Sequence, residues 1–318
     1  MPQTPFTTKK QAMNKILVAT EKPFAAVAVE GIRRVAEEAG YELELLERYT
    51  DRAQLLAAVA TADALIVRSD KVDAEVIAAA PKLKIVVRAG AGYDNIDLKA
   101  AADRGIVAEN TPGQNSNAVA ELVFGLTVMA ARNMYAGTSG FELKGKKLGI
   151  HAFGQVGRNV ARIAAGFGME VSAFDPYCPD DVMTAAGVTP VHSLDELYRD
   201  NQFVSIHIPA TPQTVGSIGH DLIAMMPKQG VLINTARREV IDEAGLADVL
   251  AERPDLKYVA DVMPSNAEDL NARFAGRVFF TPKKMGAQTA EANINAGIAA
   301  ANQVVAYLRD GIDRFRVN

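Results

Sequence analysis

Cysteine is nearly absent: Cys178 is the only one in 318 residues. No intrachain disulfide can form, nothing asks for an oxidising compartment, and a reduced cytosol is the expected setting. The thiol has no histidine beside it in sequence and is assigned no function. No metal site is expected either. An excess of basic residues is also missing. The net charge of -4 argues against nucleic acid or an anionic membrane as main partner, so any anion site must be local. Long apolar runs are lacking too. The longest, Ala118 to Ala131, is interrupted by Glu121 and falls short of the roughly 20 residues of a membrane span. It reads as a buried helix. Finally, the opening residues MPQTPFTTKKQA hold no apolar signal core, and Met13 opens the first strand-like run. Met1 to Ala12 are expected to form a disordered tail.

What is present is length and apolar residues enough for two cores, at 49% hydrophobic. Short β-branched runs alternate with Ala- and Leu-rich stretches of helical period, the pattern of βα units building parallel sheets. KILVAT, ELELLER, ALIVRS, KIVVRAG and IVAEN form a first series ending near Asn110. KKLGIHAF, EVSAFD, FVSIHIPA, VLINTA, YVADV and RVFFTP form a second, a six-strand count. SLDE, Ser193 to Glu196, has the spacing of a capping box. The Ala-rich helical pattern from Thr289 to Asp310 is free to return to the first lobe, and Asn133 to Gly145 is Gly-rich enough to connect lobes. The fold class is therefore α/β, two doubly wound parallel-sheet domains with a cleft between. Residues 1–110 with 289–318 are expected in one domain and 111–288 in the other.

AFGQVG, Ala152 to Gly157, follows an apolar strand and opens a helical pattern at Arg158, the context a dinucleotide fingerprint requires. It departs from G-x-G-x-x-G at Ala152, where the tight turn must accept a methyl group. Gly154 lets backbone approach a pyrophosphate, and Gly157 lets helix pack on strand. Phe153, Gln155 and Val156 complete the turn. Asp175 ends EVSAFD about 20 residues on, where a carboxylate accepts the ribose hydroxyls and repels a 2′-phosphate. No basic residue follows directly in DPYCPDD, so NAD is expected over NADP.

GAGYDNID, AFGQVGR, SIHIPATPQT, LINTARREVID, VADVMP and TPKKMGAQT resemble, in order, the motifs of D-2-hydroxyacid dehydrogenases across nearly the whole chain. ALIVRSDKV and RAGAGYDN look most like the phosphoglycerate dehydrogenase branch. The resemblance implies a Rossmann cofactor domain, a flavodoxin-like substrate domain, a homodimer, and oxidation of D-3-phosphoglycerate at the entry to serine biosynthesis. It also implies that Pro176, His207, Pro209, Thr214, Thr235 and Ala236 lie along the cofactor and that Asp261 meets the nicotinamide carboxamide. For His207 a purely structural role stands equally open, and His151 reads as core. The chain stops at Asn318 without the regulatory domain of many relatives, so serine feedback through such a domain is not expected.

Hydride exchange with a 2-oxo acid needs a cation for the carboxylate and carbonyl and a group that moves the hydroxyl proton. Arg237 in NTAR matches the family's substrate-binding arginine, with Arg238 the lesser candidate. The family's acid/base histidine and its glutamate partner are replaced here by Lys283 and Asn266. A carboxylate raises an imidazole pKa starting near about 6.5 usefully, but would push a lysine starting near about 10.4 further from neutrality. Losing both together therefore fits a working lysine, with Glu268 as a possible compensating carboxylate. Counting from TP selects Lys283, which we follow; counting from the right of TPKKMGAQT selects Lys284. Arg68, Ser69 and Lys71 follow ALIV, where the resemblance implies a phosphate-reading arginine. Ala91, Gly92 and Asn95 offer backbone N–H groups and an amide to a carboxylate. Two other readings compete: a glyoxylate or hydroxypyruvate reductase, which needs no phosphate site, and a non-catalytic NADH-sensing binding protein.

Overall fold

Strands buried on both faces need apolar residues at nearly every position, and alternate residues then feed two different cores. In VLIN, Leu232 joins one cluster while Val231 and Ile233 join another. In KILVAT, Leu17 and Ala19 face one way and Ile16 and Val18 the other. Burying each such side chain is worth about 1.5–3 kcal/mol, which fixes strand register.

The computed structural model describes residues 13–318, so the tail expected at 1–12 lies outside the described residues. The chain divides into two compact units, the first holding residues through Asn115 together with Ala290–Asn318, the second Ser116–Thr289. The sequence reading sets these boundaries at 110/111 and 288/289. The first unit contains β1 (Lys15–Thr20), β2 (Glu42–Glu47), β3 (Ala64–Val67), β4 (Ile85–Arg88) and β5 (Val107–Asn110). They lie in the all-parallel order β2-β1-β3-β4-β5, the flavodoxin-like arrangement. The helix Ala290–Asp310 does return to this unit. It packs on the helix Ala26–Glu38 so closely that a Cβ at Gly31 would stand 2.6 Å from Ile298 Cδ1.

The second unit contains β6 (Lys147–His151), β7 (Glu170–Phe174), β8 (Thr189–Pro190), β9 (Phe203–Ile206), β10 (Val231–Asn234), β11 (Lys257–Ala260) and β12 (Val278–Phe280). Their order is β12-β11-β10-β9-β6-β7-β8, again parallel throughout. The six expected strands are present, with β8 as an addition. Two residues long, and ending in a proline that cannot donate to a ladder, β8 is confined to the edge and has no readable period. The helix expected from Ala118 to Ala131 runs Ser116–Ala131 and is buried along Val119, Ala120, Val123 and Phe124. Asn133 to Gly145, read as a connector between lobes, instead lies inside the second unit. Lys257 Nζ fastens it by donating to Ala130 O at 2.7 Å and Asn133 Oδ1 at 2.6 Å. Ser193 caps the helix Leu194–Asp200 by accepting from Glu196 N at 3.1 Å, one half of the expected box.

Candidate active site

Parallel pairing brings the last residues of six strands of the second unit into one register row. Phe280 pairs with Ala260, Ala260 with Asn234, Asn234 with Ile206, Ile206 with His151 and His151 with Phe174. The residues that follow these ends, Thr281, Asp261, Thr235, His207, Ala152 and Asp175, therefore line one edge. Strand order reverses between β9 and β6, the switch point outside which open parallel sheets bind ligands.

On the β6 side, Ala152 stands at φ +84, a left-handed conformation that the fingerprint reserves for its first glycine. Its N–H still donates to Phe174 O at 2.9 Å. A Cβ at Gly157 would collide with Ala152 O, so that glycine is demanded by helix packing. At Gly154 a Cβ would meet nothing within 4 Å, so this glycine leaves open space before the helix Gln155–Gly166, which has no side-chain cap. Open backbone at a helix N-terminus suits a pyrophosphate. Asp175 Oδ2 accepts from Phe153 N at 2.8 Å and Oδ1 from Tyr177 N at 2.9 Å, and each oxygen keeps a lone pair for a ribose hydroxyl. Pro176 is exposed beside it. Thr214 Oγ1 donates to Pro209 O at 2.5 Å, and the buried Thr235 Oγ1 has no partner among the described residues. The second unit thus fits a dinucleotide along this edge.

On the β10 side the turn after Asn234 is built by Asn234 itself. Its buried amide accepts from Ala236 N at 2.9 Å and donates to Arg237 O at 2.9 Å. This residue escaped the sequence reading, although Asn at a strand end is the usual signal of such a turn. The turn presents the Ala236 carbonyl to two cations: Arg237 Nη1 donates to it at 3.0 Å and Lys284 Nζ at 3.1 Å. Lys284, rather than the preferred Lys283, therefore meets Arg237. Lys283 is exposed and forms no hydrogen bond or ion pair among the described residues. Lys284 is exposed too, and the extra residue of the loop brings it, not Lys283, onto Ala236 O. Arg238 is exposed and paired with Glu239.

Asp261 shapes the lysine loop. Its carboxylate accepts from Thr281 Oγ1 at 2.8 Å, Met285 N at 2.6 Å and Gly286 N at 2.7 Å. Asn266 donates to Glu243 O at 3.3 Å, and Glu268 is exposed without an ion pair or hydrogen bond among the described residues. His207 Nε2 lies 2.9 Å from Ser205 Oγ, and burial, with His151 nearby, pushes its pKa down to about 3. His151 is buried with Nδ1 3.3 Å from Tyr198 Oη, and burial pushes its pKa down to about 4. Both imidazoles are neutral at pH 7.

In the first unit, Arg68 donates to Lys22 O at 2.9 Å, Pro23 O at 3.1 Å and Asn293 Oδ1 at 2.7 Å. Ser69 is exposed beside it, and Lys71 Nζ lies 3.9 Å from Asp73. Asn95 Nδ2 donates to Asp70 O at 2.7 Å, tying its turn to the Arg68 loop. Ala91 O accepts from Asn110 at 2.6 Å, and Gly92 follows in the same turn. Among the described residues no cluster of His, Cys, Asp or Glu could hold a metal, and no helix is long and apolar enough to cross a membrane.

Residues 119–283 match the family described as D-isomer specific 2-hydroxyacid dehydrogenase, NAD binding domain. The chain is 37% identical over 300 residues to the D-3-phosphoglycerate dehydrogenase of Methanocaldococcus jannaschii, covering 90% of this chain and 57% of that protein. It thus spans little more than half of that relative's length. It is 34% identical over 281 residues to the hydroxypyruvate reductase of Thermotoga maritima, covering 83% of this chain and 90% of that protein. Among solved structures, the NAD+-bound 3-phosphoglycerate dehydrogenase of Entamoeba histolytica is similar at 46% identity and a TM-score of 0.84, covering 96% of this chain and 99% of that one.

Ala152→Gly relieves a left-handed strain of roughly 1–2 kcal/mol against a smaller gain in unfolded-chain entropy, so the melting temperature is expected to rise. An unchanged or lower value rejects the strain. For His151 the folded pKa of about 4 lies below the ordinary 6.5, so its contribution is complete above 6.5 and lost as pH falls towards 4. Unfolding free energy is expected to decline across that window, and less steeply in His151→Gln, as urea titrations at several pH values would read.

Proposed function

Because the chain belongs to the D-isomer specific 2-hydroxyacid dehydrogenase family, we propose that it is an NAD-dependent dehydrogenase acting on D-3-phosphoglycerate. The observation that carries this reading is the convergence of Arg237 and Lys284 on one carbonyl, Ala236 O, at the edge where the dinucleotide cradle lies. When bound, the nicotinamide cofactor supplies the hydride acceptor in oxidation and the hydride donor in reduction. Arg237 grips the substrate carboxylate with its planar fork and polarises the neighbouring carbonyl oxygen. Lys284 takes the C2 hydroxyl proton during oxidation and returns it during reduction. Asp261, by holding both ends of the loop, keeps that ammonium next to the guanidinium. Gly154, Asp175 and Thr235 belong to the cofactor's side of the edge, and the neutral His207 adds no charge there.

For the substrate, similarity to D-3-phosphoglycerate dehydrogenases supports a phosphorylated hydroxy acid, with Arg68 reading the phosphate in the first unit. The proposal also includes reduced cytosol as the compartment, serine biosynthesis as the pathway and a homodimer as the assembly. The second reading, a hydroxypyruvate reductase, draws support from the engagement of Arg68 by Lys22 O, Pro23 O and Asn293 Oδ1, and from the Thermotoga relative.

Arg237→Ala is expected to lower kcat/KM by at least about a hundredfold. Lys284→Ala should abolish turnover while NADH affinity, read by fluorescence, is kept, and Lys283→Ala should leave turnover close to wild type. The reverse ranking of the lysines would return the role to Lys283. NADH oxidation with 3-phosphohydroxypyruvate, hydroxypyruvate and glyoxylate decides the substrate. Arg68→Ala should raise KM for the phosphorylated acid alone; equal effects on hydroxypyruvate remove the phosphate assignment.

A further inference from the structure

Asp175 and Arg158 both engage the backbone of one residue, Phe153. The Phe153 N–H donates to Asp175 Oδ2 at 2.8 Å, and the Phe153 carbonyl accepts from Arg158 Nε at 3.2 Å. Carboxylate and guanidinium thus both reach the glycine turn, and no ion pair joins them among the described residues. The guanidinium also reaches the turn after β7, where Nη2 lies 3.9 Å from Cys178 Sγ. That turn is itself tied to Asp175 through Tyr177 N. Arg158 is exposed, and one carbonyl plus one thiol contact leave most of its N–H donors available. It is also the cation that this region would otherwise lack. Between Glu170 and Val191 there is no Lys, Arg or His, and Arg162, one helical turn on, is turned to Asn117 and Asn159.

In dinucleotide-binding sheets the acidic residue at this strand end selects a ribose 2′-hydroxyl, whereas an arginine nearby accommodates a 2′-phosphate. This chain brings both to the backbone of Phe153. Resting on the cofactor reading above, we propose that Arg158 is a specificity-determining residue for the adenosine 2′ position. Asp175 rejects a 2′-phosphorylated dinucleotide by repulsion, and Arg158 attracts that phosphate, an attraction that prevails once the carboxylate is gone. Selectivity for NAD then rests on a repulsive element set against a standing attraction, and not on the absence of a cation. The arginine missing from DPYCPDD in sequence is supplied by the helix before it.

The test is direct binding of NADH and NADPH, by nicotinamide fluorescence and calorimetry, to wild type, Arg158→Gln, Asp175→Ser and the double variant. Asp175→Ser is expected to bind NADPH at least about tenfold more tightly than wild type, and adding Arg158→Gln to remove most of that gain, as loss of a charge-assisted phosphate contact does. NADH affinity should agree within about twofold between the single and double variants, since the 2′-hydroxyl carries no charge. Raising KCl should weaken NADPH binding more in Asp175→Ser than in the double variant. Should Asp175→Ser fail to fold, the wild-type background still decides. There Arg158→Gln is expected to lower the residual NADPH affinity by about threefold, and Arg158→Lys, which keeps the charge, to retain part of it. NADPH affinity independent of Arg158 in every background that folds overturns the proposal. So does an Arg158→Gln loss of NADH affinity as large as the NADPH loss, which assigns the side chain to the pyrophosphate or to the turn itself. Failure of the wild-type chain to bind NADH at all overturns the cofactor reading and this proposal with it.

Discussion

Parallel strand register is the constraint from which the chemistry of the second unit follows. Six strands end on one row because each residue-by-residue pairing, His151 with Ile206 or Ala260 with Asn234, places the next residue beside its neighbour's. Slipping any strand by one position would move its apolar set to the wrong core. The same burial that holds the sheet together therefore lines up the groups at its edge. Side chains spread over more than a hundred residues of sequence, from Asp175 to Lys284, need no other device to share one surface.

The edge is then refined by buried polar side chains that each satisfy several backbone groups. Asn234 closes the turn that presents Ala236 O, and Asp261 holds Met285 N and Gly286 N. Two cations on a single carbonyl repel one another, and this arrangement persists because their loops are fastened independently of that contact. Such pre-positioning is what an anionic substrate group requires, because the protein then has little reorganisation to make when it arrives.

Much of this was legible in sequence wherever a feature is local and periodic. The strands of both sheets stood out as β-branched runs, and the Ala-rich return helix showed its period, because double-sided burial leaves long apolar signatures. The glycine turn was legible down to the awkward Ala152, whose φ of +84 is the conformation that the missing glycine implied. What sequence could not carry was distance in space. Loop length separates Lys283 from Lys284, and only the anchoring of residues 281–286 on Asp261 shows which amine reaches Ala236 O. The strand β8 escaped because a Thr-Pro pair has no period to read. The Arg158 guanidinium was invisible beside Asp175 because sixteen positions of helix and strand intervene, and counting within DPYCPDD looks the wrong way along the chain.

The return of the helix Ala290–Asp310 to the first unit bears on the order of biogenesis. Ala296, Ala300, Ala301 and Val304 complete a core whose other members, Ile16, Val18, Ile66, Ile85 and Val87, are synthesised long before them. One face of that sheet, covered only in part by the helix Ala26–Glu38, must wait for the rest of its cover while the ribosome makes the whole intervening sheet, whose residues are contiguous and can close as soon as they emerge. The nascent chain is therefore most exposed to aggregation through its earliest-made half, and the last helix acts as the lid that ends that exposure.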